Sequence, residues 1–125
     1  MTNASLMTAA ALTVGIGIVH SWLGERRIIG PLLSLEMRTG ILHSIFVRNV
    51  LRFAWHLTSL AWWGFAAILA AMATMPINDA ARMVLWIVAL IFIATGVTTL
   101  VTSRGRHLAW PVFMAIGGLS LAPIL

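Results

Sequence analysis

The sequence predicts an all-α membrane protein, a four-transmembrane-helix bundle with an amphipathic connection between the first two spans. Three observations lead there. The 125 residues are 61% hydrophobic and only 9% charged, with a mean hydropathy of +1.01, whereas about a quarter of an average soluble domain is charged. Apolar stretches of 18 or more residues recur, each long enough as a helix to cross a hydrocarbon layer of roughly 30 Å. All eight basic residues are arginine, and they gather in particular connections.

The first span is expected over residues 4–23. The opening stretch "MTNASLMTAAALTVGIGIVHSW" lacks the cationic start of a secretory signal, and its apolar run is too long for one, so it reads as a retained span. The second is expected over 52–73, the third over 81–102 and the fourth over 108–125. Each takes the helical form because lipid offers no partner to backbone N–H and C=O groups. Together they make residues 1–125 a single integral membrane domain, with no room for a separate soluble one.

The connections differ in kind. "TMPINDA" is a tight turn in which Asn78 or Asp79 can cap the third helix, and "SRGRH" is equally short. The first connection is long. In "SLEMRTGILHSIFVRNV", apolar Leu35, Ile41, Leu42, Ile45 and Phe46 alternate with Arg38, His43, Arg48 and Asn49 at helical spacing. That pattern predicts an amphipathic segment over about 31–49 lying among headgroups, with continuation of the second span as the competing arrangement.

Arginine placement sets the expected orientation. Arg26, Arg27, Arg38, Arg48 and Arg52 belong to the first connection, Arg104 and Arg106 to the third, and Arg82 alone to the middle turn. The positive-inside rule then makes the first and third connections cytoplasmic and sends both termini outward. Partners expected at that face are anionic lipid headgroups, further copies of the chain or a larger membrane complex, and not nucleic acid.

Polar residues cluster at the same depth. His20 and Ser21 close the first span, and Arg52, His56 and Ser59 open the second. Thr95, Thr98, Thr99 and Thr102 line the inner half of the third, and His107 heads the fourth. Thr13, Gly17, Ser21 and Gly24 form a small-residue stripe that lets another helix approach closely. Arg52, His56, Ser59 and Trp63 follow an i, i+4, i+7, i+11 line. Residues of this kind are tolerated where they face a bundle interior or a wetted cavity.

This constellation predicts a ligand-binding pocket built from His20, Arg52, His56, Ser59, Thr98, Thr99, Thr102 and His107. His56 is its principal ligand or donor, and Arg52 neutralises an anion. Imidazoles from three helices, with Glu25 one turn beyond His20, have the chemistry for a transition metal, and His20 with His56 for the axial ligation of haem. Each has a plain structural alternative. Threonines in membrane helices commonly bond their own backbone, and Trp22, Trp55 and Trp110 fall where an interfacial aromatic belt would. Trp62, Trp63 and Trp86 lie deeper, where they pack a core or wall a pocket. No cysteine is present, and no serine–histidine–acid arrangement can be read from spacing, so hydrolytic chemistry is not expected. The function expected is a binding or accessory role toward haem, a metal or an anionic headgroup. The alternative is an oligomeric transporter or channel for a small anion.

"VHSWLGERRIIGPL", "LRFAWHLTSLAWW" and "SRGRHLAWPVF" resemble segments of a family of small four-span proteins of bacterial inner membranes. The resemblance implies that location and span number, and no activity or residue role. Small fluoride channels share the length, but their glycine-rich opening and polar-track motifs do not occur here.

Overall fold

A computed structural model describes residues 2–36 and 40–125. Among them every regular element is helical: α1 (Ala4–Gly24), a π-helical turn (Glu25–Ile29), α2 (Gly30–Ser34), a 3₁₀ turn (Ile41–His43), α3 (Ile45–Thr74), α4 (Asp79–Ser103) and α5 (Trp110–Leu121). Three of the helical stretches are long and apolar enough to cross a membrane: Ala4–Ser34, Ile45–Thr74 and Asp79–Ser103. The chain is thus a helical membrane protein. The fourth apolar helix, α5, has 12 residues, about 18 Å at the α-helical rise.

Local chemistry explains the boundaries. Asn3 caps α1 by accepting from the N–H groups of Ser5 and Leu6, Ser44 caps α3 through Val47 N–H, and Asn78 caps α4 through Ala81 N–H at 2.9 Å. Each answers the orphan N–H groups of a first turn. α4 stops where Arg104 turns left-handed at φ 52° and Gly105 follows at φ 76°, and Gly105 N–H closes onto Leu100 O at 2.9 Å. The π-helical turn has its own cause. Gly30 N–H bonds Glu25 O five residues back, and a Cβ at Gly30 would lie only 2.6 Å from that oxygen. Glycine lets the wide turn close, and Pro31, which has no N–H to offer, follows it.

The helices run alternately up and down. α1 lies against both α3 and α5, and α5 lies against α4. Asn3 N–H reaches Ala73 O at 2.7 Å, and the Arg82 guanidinium reaches Ile124 O at 2.9 Å. The termini and the 75–78 turn therefore share one end. The long first connection and the 104–109 connection share the other, arginine-rich end. Two glycines bring α4 and α5 together: a Cβ at Gly96 would meet Met114 Sδ at 2.9 Å, and one at Gly117 would meet Ala89 O at 3.1 Å.

The closely packed core fills the half of the bundle near the termini. It joins Leu6, Ala9 and Ala10 to Leu69 and Ala73, and both groups to Leu85, Val88, Phe92, Phe113 and Ile116. At the arginine-rich end the first hairpin extends well past that core. A 31-residue rod (Ala4–Ser34) measures about 45 Å against a hydrocarbon thickness of about 30 Å.

The amphipathic segment expected over 31–49 is divided among three pieces. Gly30–Ser34 prolongs the first rod, Ile41–His43 forms the 3₁₀ turn, and residues 45–49 are the first turns of α3. Arg38 lies outside the described residues. Arg48 holds the pieces together: its guanidinium donates to the carbonyls of Leu33, Leu35 and Leu42.

Candidate functional site

Two helices build the site. α1 ends with Ser21 and, at the first residue of the π-helical turn, Glu25. A separation of four residues places both on one face. α3 supplies Arg52, His56 and Ser59 from the antiparallel partner. His56 stands between the two chains: Nδ1 lies 2.9 Å from Ser21 Oγ, and Nε2 lies 3.1 Å from Glu25 Oε2. The other carboxylate oxygen of Glu25 receives Arg52 Nη2 at 2.9 Å. Ser21 Oγ is also 2.8 Å from Ser59 Oγ, and Ser59 is fully enclosed.

The register that makes these contacts comes from indole on glycine. Trp55 and Trp63 of α3 lie across Gly24 and Gly17 of α1, so closely that a Cβ at either glycine would overlap the ring. Each ring nitrogen then donates to an α1 carbonyl, Trp55 to His20 O at 3.1 Å and Trp63 to Val14 O at 3.2 Å. Four fixed points along two antiparallel helices leave α3 little freedom to slide or rotate. His56 is thereby aimed at the gap between Ser21 and Glu25.

The side chains of Arg52 and Glu25 are 46% and 36% exposed at the protein surface. The effect of their ion pair is positional: it leaves the second carboxylate oxygen directed at His56. Beside the cluster runs a shallow, open groove, apolar at its accessible surface, lined by Ile18, Ser21, Trp22, Glu25, Arg26, His56 and Trp63. The Arg26 guanidinium sits 5.1 Å from the Trp22 ring centroid, which holds the charge at the rim.

The structure brings together part of the expected set. Arg52, His56, Ser59 and Glu25 meet. His20 lies on the neighbouring face, its ring stacked on Trp55 at 4.6 Å with 5° between planes and edge-on to Trp62 at 5.0 Å. Its Nε2 is enclosed, with no hydrogen-bond partner among the described residues. Trp62 continues to Phe113 at 5.2 Å, so His20 belongs to an aromatic ladder that descends into the core. His107 lies in the exposed 104–109 connection, where Nδ1 accepts from Ala109 N–H at 3.2 Å. Thr99 and Thr102 donate to the carbonyls of Thr95 and Thr98, and Thr98 is exposed. The third polar stripe thus bonds along its own helix. Among the described residues no three histidine, aspartate or glutamate side chains form a group able to hold a metal ion.

Three residues carry more of the site than their sequence pattern suggests. Glu25 is the hub rather than a peripheral candidate, and its i, i+4 spacing from Ser21 is the signal that points to it. Ser21, in sequence one of a stripe of small residues, bears a hydroxyl on that same face. Trp55, expected in an interfacial belt, is an interhelical donor. No family model, curated protein or solved structure matches the chain.

Proposed function

We propose that the chain is a four-span protein that holds an anionic amphiphile, a lipid-like molecule with a phosphate or carboxylate head, in the groove between α1 and α3. The observation that carries this is the company these side chains keep: apolar Ile18, Trp22 and Trp63 line one open surface depression together with Glu25, Arg26 and His56. An apolar chain can lie along the aromatic wall while its head meets arginine at the rim, where cations attract anionic headgroups. Arg26, unlike Arg52, has no carboxylate partner among the described ion pairs, which leaves its charge available to an incoming anion. The arginine bias supports setting this end of the bundle at the cytoplasmic leaflet, with both termini outside. α5, short by itself, completes the fourth crossing with the residues flanking it.

The test compares headgroups. Protein purified with brief detergent exposure is mixed with phosphatidylglycerol or phosphatidylcholine, and retained lipid is counted by native mass spectrometry. Phosphatidylglycerol is expected to be retained preferentially, and Arg26→Gln to weaken that retention about fivefold, from roughly 1 kcal/mol per interfacial arginine. Equal retention of the two lipids, or an unaltered preference in Arg26→Gln, would remove the proposal.

A further inference from the structure

Ser21, His56 and Glu25 form a hydroxyl–imidazole–carboxylate chain that a binding role does not require. A carboxylate facing Nε2 at 3.1 Å calls for a proton on that nitrogen, since two lone pairs would repel. In the neutral ring Nδ1 is then a bare acceptor, 2.9 Å from Ser21 Oγ, which is the geometry of a base poised to take a hydroxyl proton. Ser21 Oγ donates to Ser59 Oγ at 2.8 Å; because hydroxyl hydrogens rotate freely, Ser21 can turn its proton to Nδ1 instead, with Ser59 then donating to Ser21. Arg52, paired with the far oxygen of Glu25, keeps the carboxylate oriented. Nucleophile, base and base-orienting acid all line the same groove.

We propose that Ser21 is a nucleophile activated by His56 and Glu25, and that it takes the acyl group from a carboxylic ester of the amphiphile held in the groove. This inference rests on the groove reading above. Ser21 Oγ adds to the ester carbonyl carbon as its proton passes to His56 Nδ1. Collapse of the tetrahedral adduct breaks the carbon–oxygen bond, and the departing alkoxide takes the proton from Nδ1. The products are acyl-Ser21 and a free alcohol, and His56 is neutral again. Water repeats the sequence on the acyl group, giving a carboxylic acid and restoring Ser21. No oxidant, reductant or metal enters the balance.

The placement suits an ester inside a lipid. Ser21 lies five residues before Arg26, about 7.5 Å along a helix axis, which leaves room for a glycerol backbone between an ester carbonyl at the serine and a phosphate at the arginine. Trp22 and Trp63 then flank the acyl chain. The π-helical turn that begins at Glu25 is a device that recurs at functional positions in helices. Here it places a carboxylate at the mouth of the groove without ending the rod.

The experiment uses the full chain in detergent micelles with an alkyl fluorophosphonate, which phosphonylates activated serines and leaves ordinary ones alone. The expected result is one adduct, located at Ser21 by peptide mass spectrometry. It is absent in Ser21→Ala, slowed at least a hundredfold in His56→Ala and slowed to a smaller degree in Glu25→Gln. Helical circular dichroism and gel filtration establish that each variant is folded. Glu25→Gln, which keeps the shape of the side chain, decides the matter if His56→Ala does not fold. Lipid retention is counted in parallel. Lipid bound by the wild type and by Ser21→Ala, with no adduct on the wild type, refutes the nucleophile and leaves the binding site standing. An adduct on a different serine, or labelling unchanged in His56→Ala and Glu25→Gln, refutes it as well. Phosphatidylglycerol retained no better than phosphatidylcholine removes the groove reading, and with it the lipid ester as substrate. Labelling at Ser21 in that case shows an activated serine serving some other ester.

Discussion

Replacing Gly17 by alanine measures the contact that sets the register of α1 against α3. A methyl group there would lie 2.5 Å from Trp63 Nε1 and 3.0 Å from Cδ1, inside the 3.4–4 Å of ordinary contact. The indole must retreat or the helices must part, and overpacking of this kind costs about 1–3 kcal/mol. Retreat also breaks the Trp63–Val14 hydrogen bond, worth about 0.6 kcal/mol in a membrane protein. Gly15, two residues away on the same helix, has nothing within 4 Å of its imagined Cβ. Gly15→Ala therefore gains the same helix propensity with no clash, and that term cancels between the two variants. The difference is about 1.5–3.5 kcal/mol, or roughly ten- to three-hundredfold in the unfolding equilibrium. Titration with dodecyl sulfate in mixed micelles, followed by far-ultraviolet dichroism, reads it directly. Trp63→Leu in the Gly17→Ala background should recover much of the loss, because the indole that the methyl strikes is gone. A Gly17→Ala protein as stable as Gly15→Ala would refute the indole-on-glycine account of the register.

Arg48→Gln should speed amide exchange across 40–45 about tenfold while leaving the core of α4 unchanged, since it withdraws a guanidinium from three carbonyls of the connection and from nothing deeper. Asn78→Ala should lower stability by about 1 kcal/mol in the same micelle titration and Asn78→Ser by much less, because the serine hydroxyl can still cap Ala81 N–H. The chain has no cysteine, so single cysteines report sidedness cleanly. Thr2→Cys and Leu125→Cys should react with an impermeant maleimide from one face of the membrane, and Leu108→Cys from the other. Opposite labelling of Thr2 and Leu125 would show that α5 does not complete a crossing.

Composition and apolar run length were sufficient for the helical membrane class, and the span edges near 4, 74, 79 and 103 follow from Asn3, Pro76, Asn78 and Gly105, each a local signal. The first connection was harder. The spacing of Leu35, Ile41, Leu42, Ile45 and Phe46 does describe an amphipathic surface, but surface pattern carries no information about where a helix breaks. The breaks came from backbone chemistry: Gly30 closing a five-residue hydrogen bond, and Arg48 gathering carbonyls from three separate positions. One arginine satisfying a connection's carbonyls has no spacing rule, because its partners lie between 6 and 15 residues away.

The site was partly legible for a related reason. The line Arg52, His56, Ser59, Trp63 defines a face of α3 correctly, and helical periodicity alone yields it. Which face of α1 it meets depends on rotation, and rotation is decided by the largest rings finding the smallest residues. Trp55 and Trp63 are eight apart, Gly17 and Gly24 seven, and the two pairs run antiparallel, so once one indole seats on a glycine the other is carried to the second. Ser21 and Glu25 then have to face His56. The same rotation turns His20 toward Trp55 and Trp62, away from the cluster formed by its neighbour Ser21. The three-histidine site expected from shared depth was not assembled because depth fixes one coordinate of a helix and leaves its rotation free. The tryptophans, not the histidines, supply that rotation, and they determine which polar residues of α1 and α3 can share a proton.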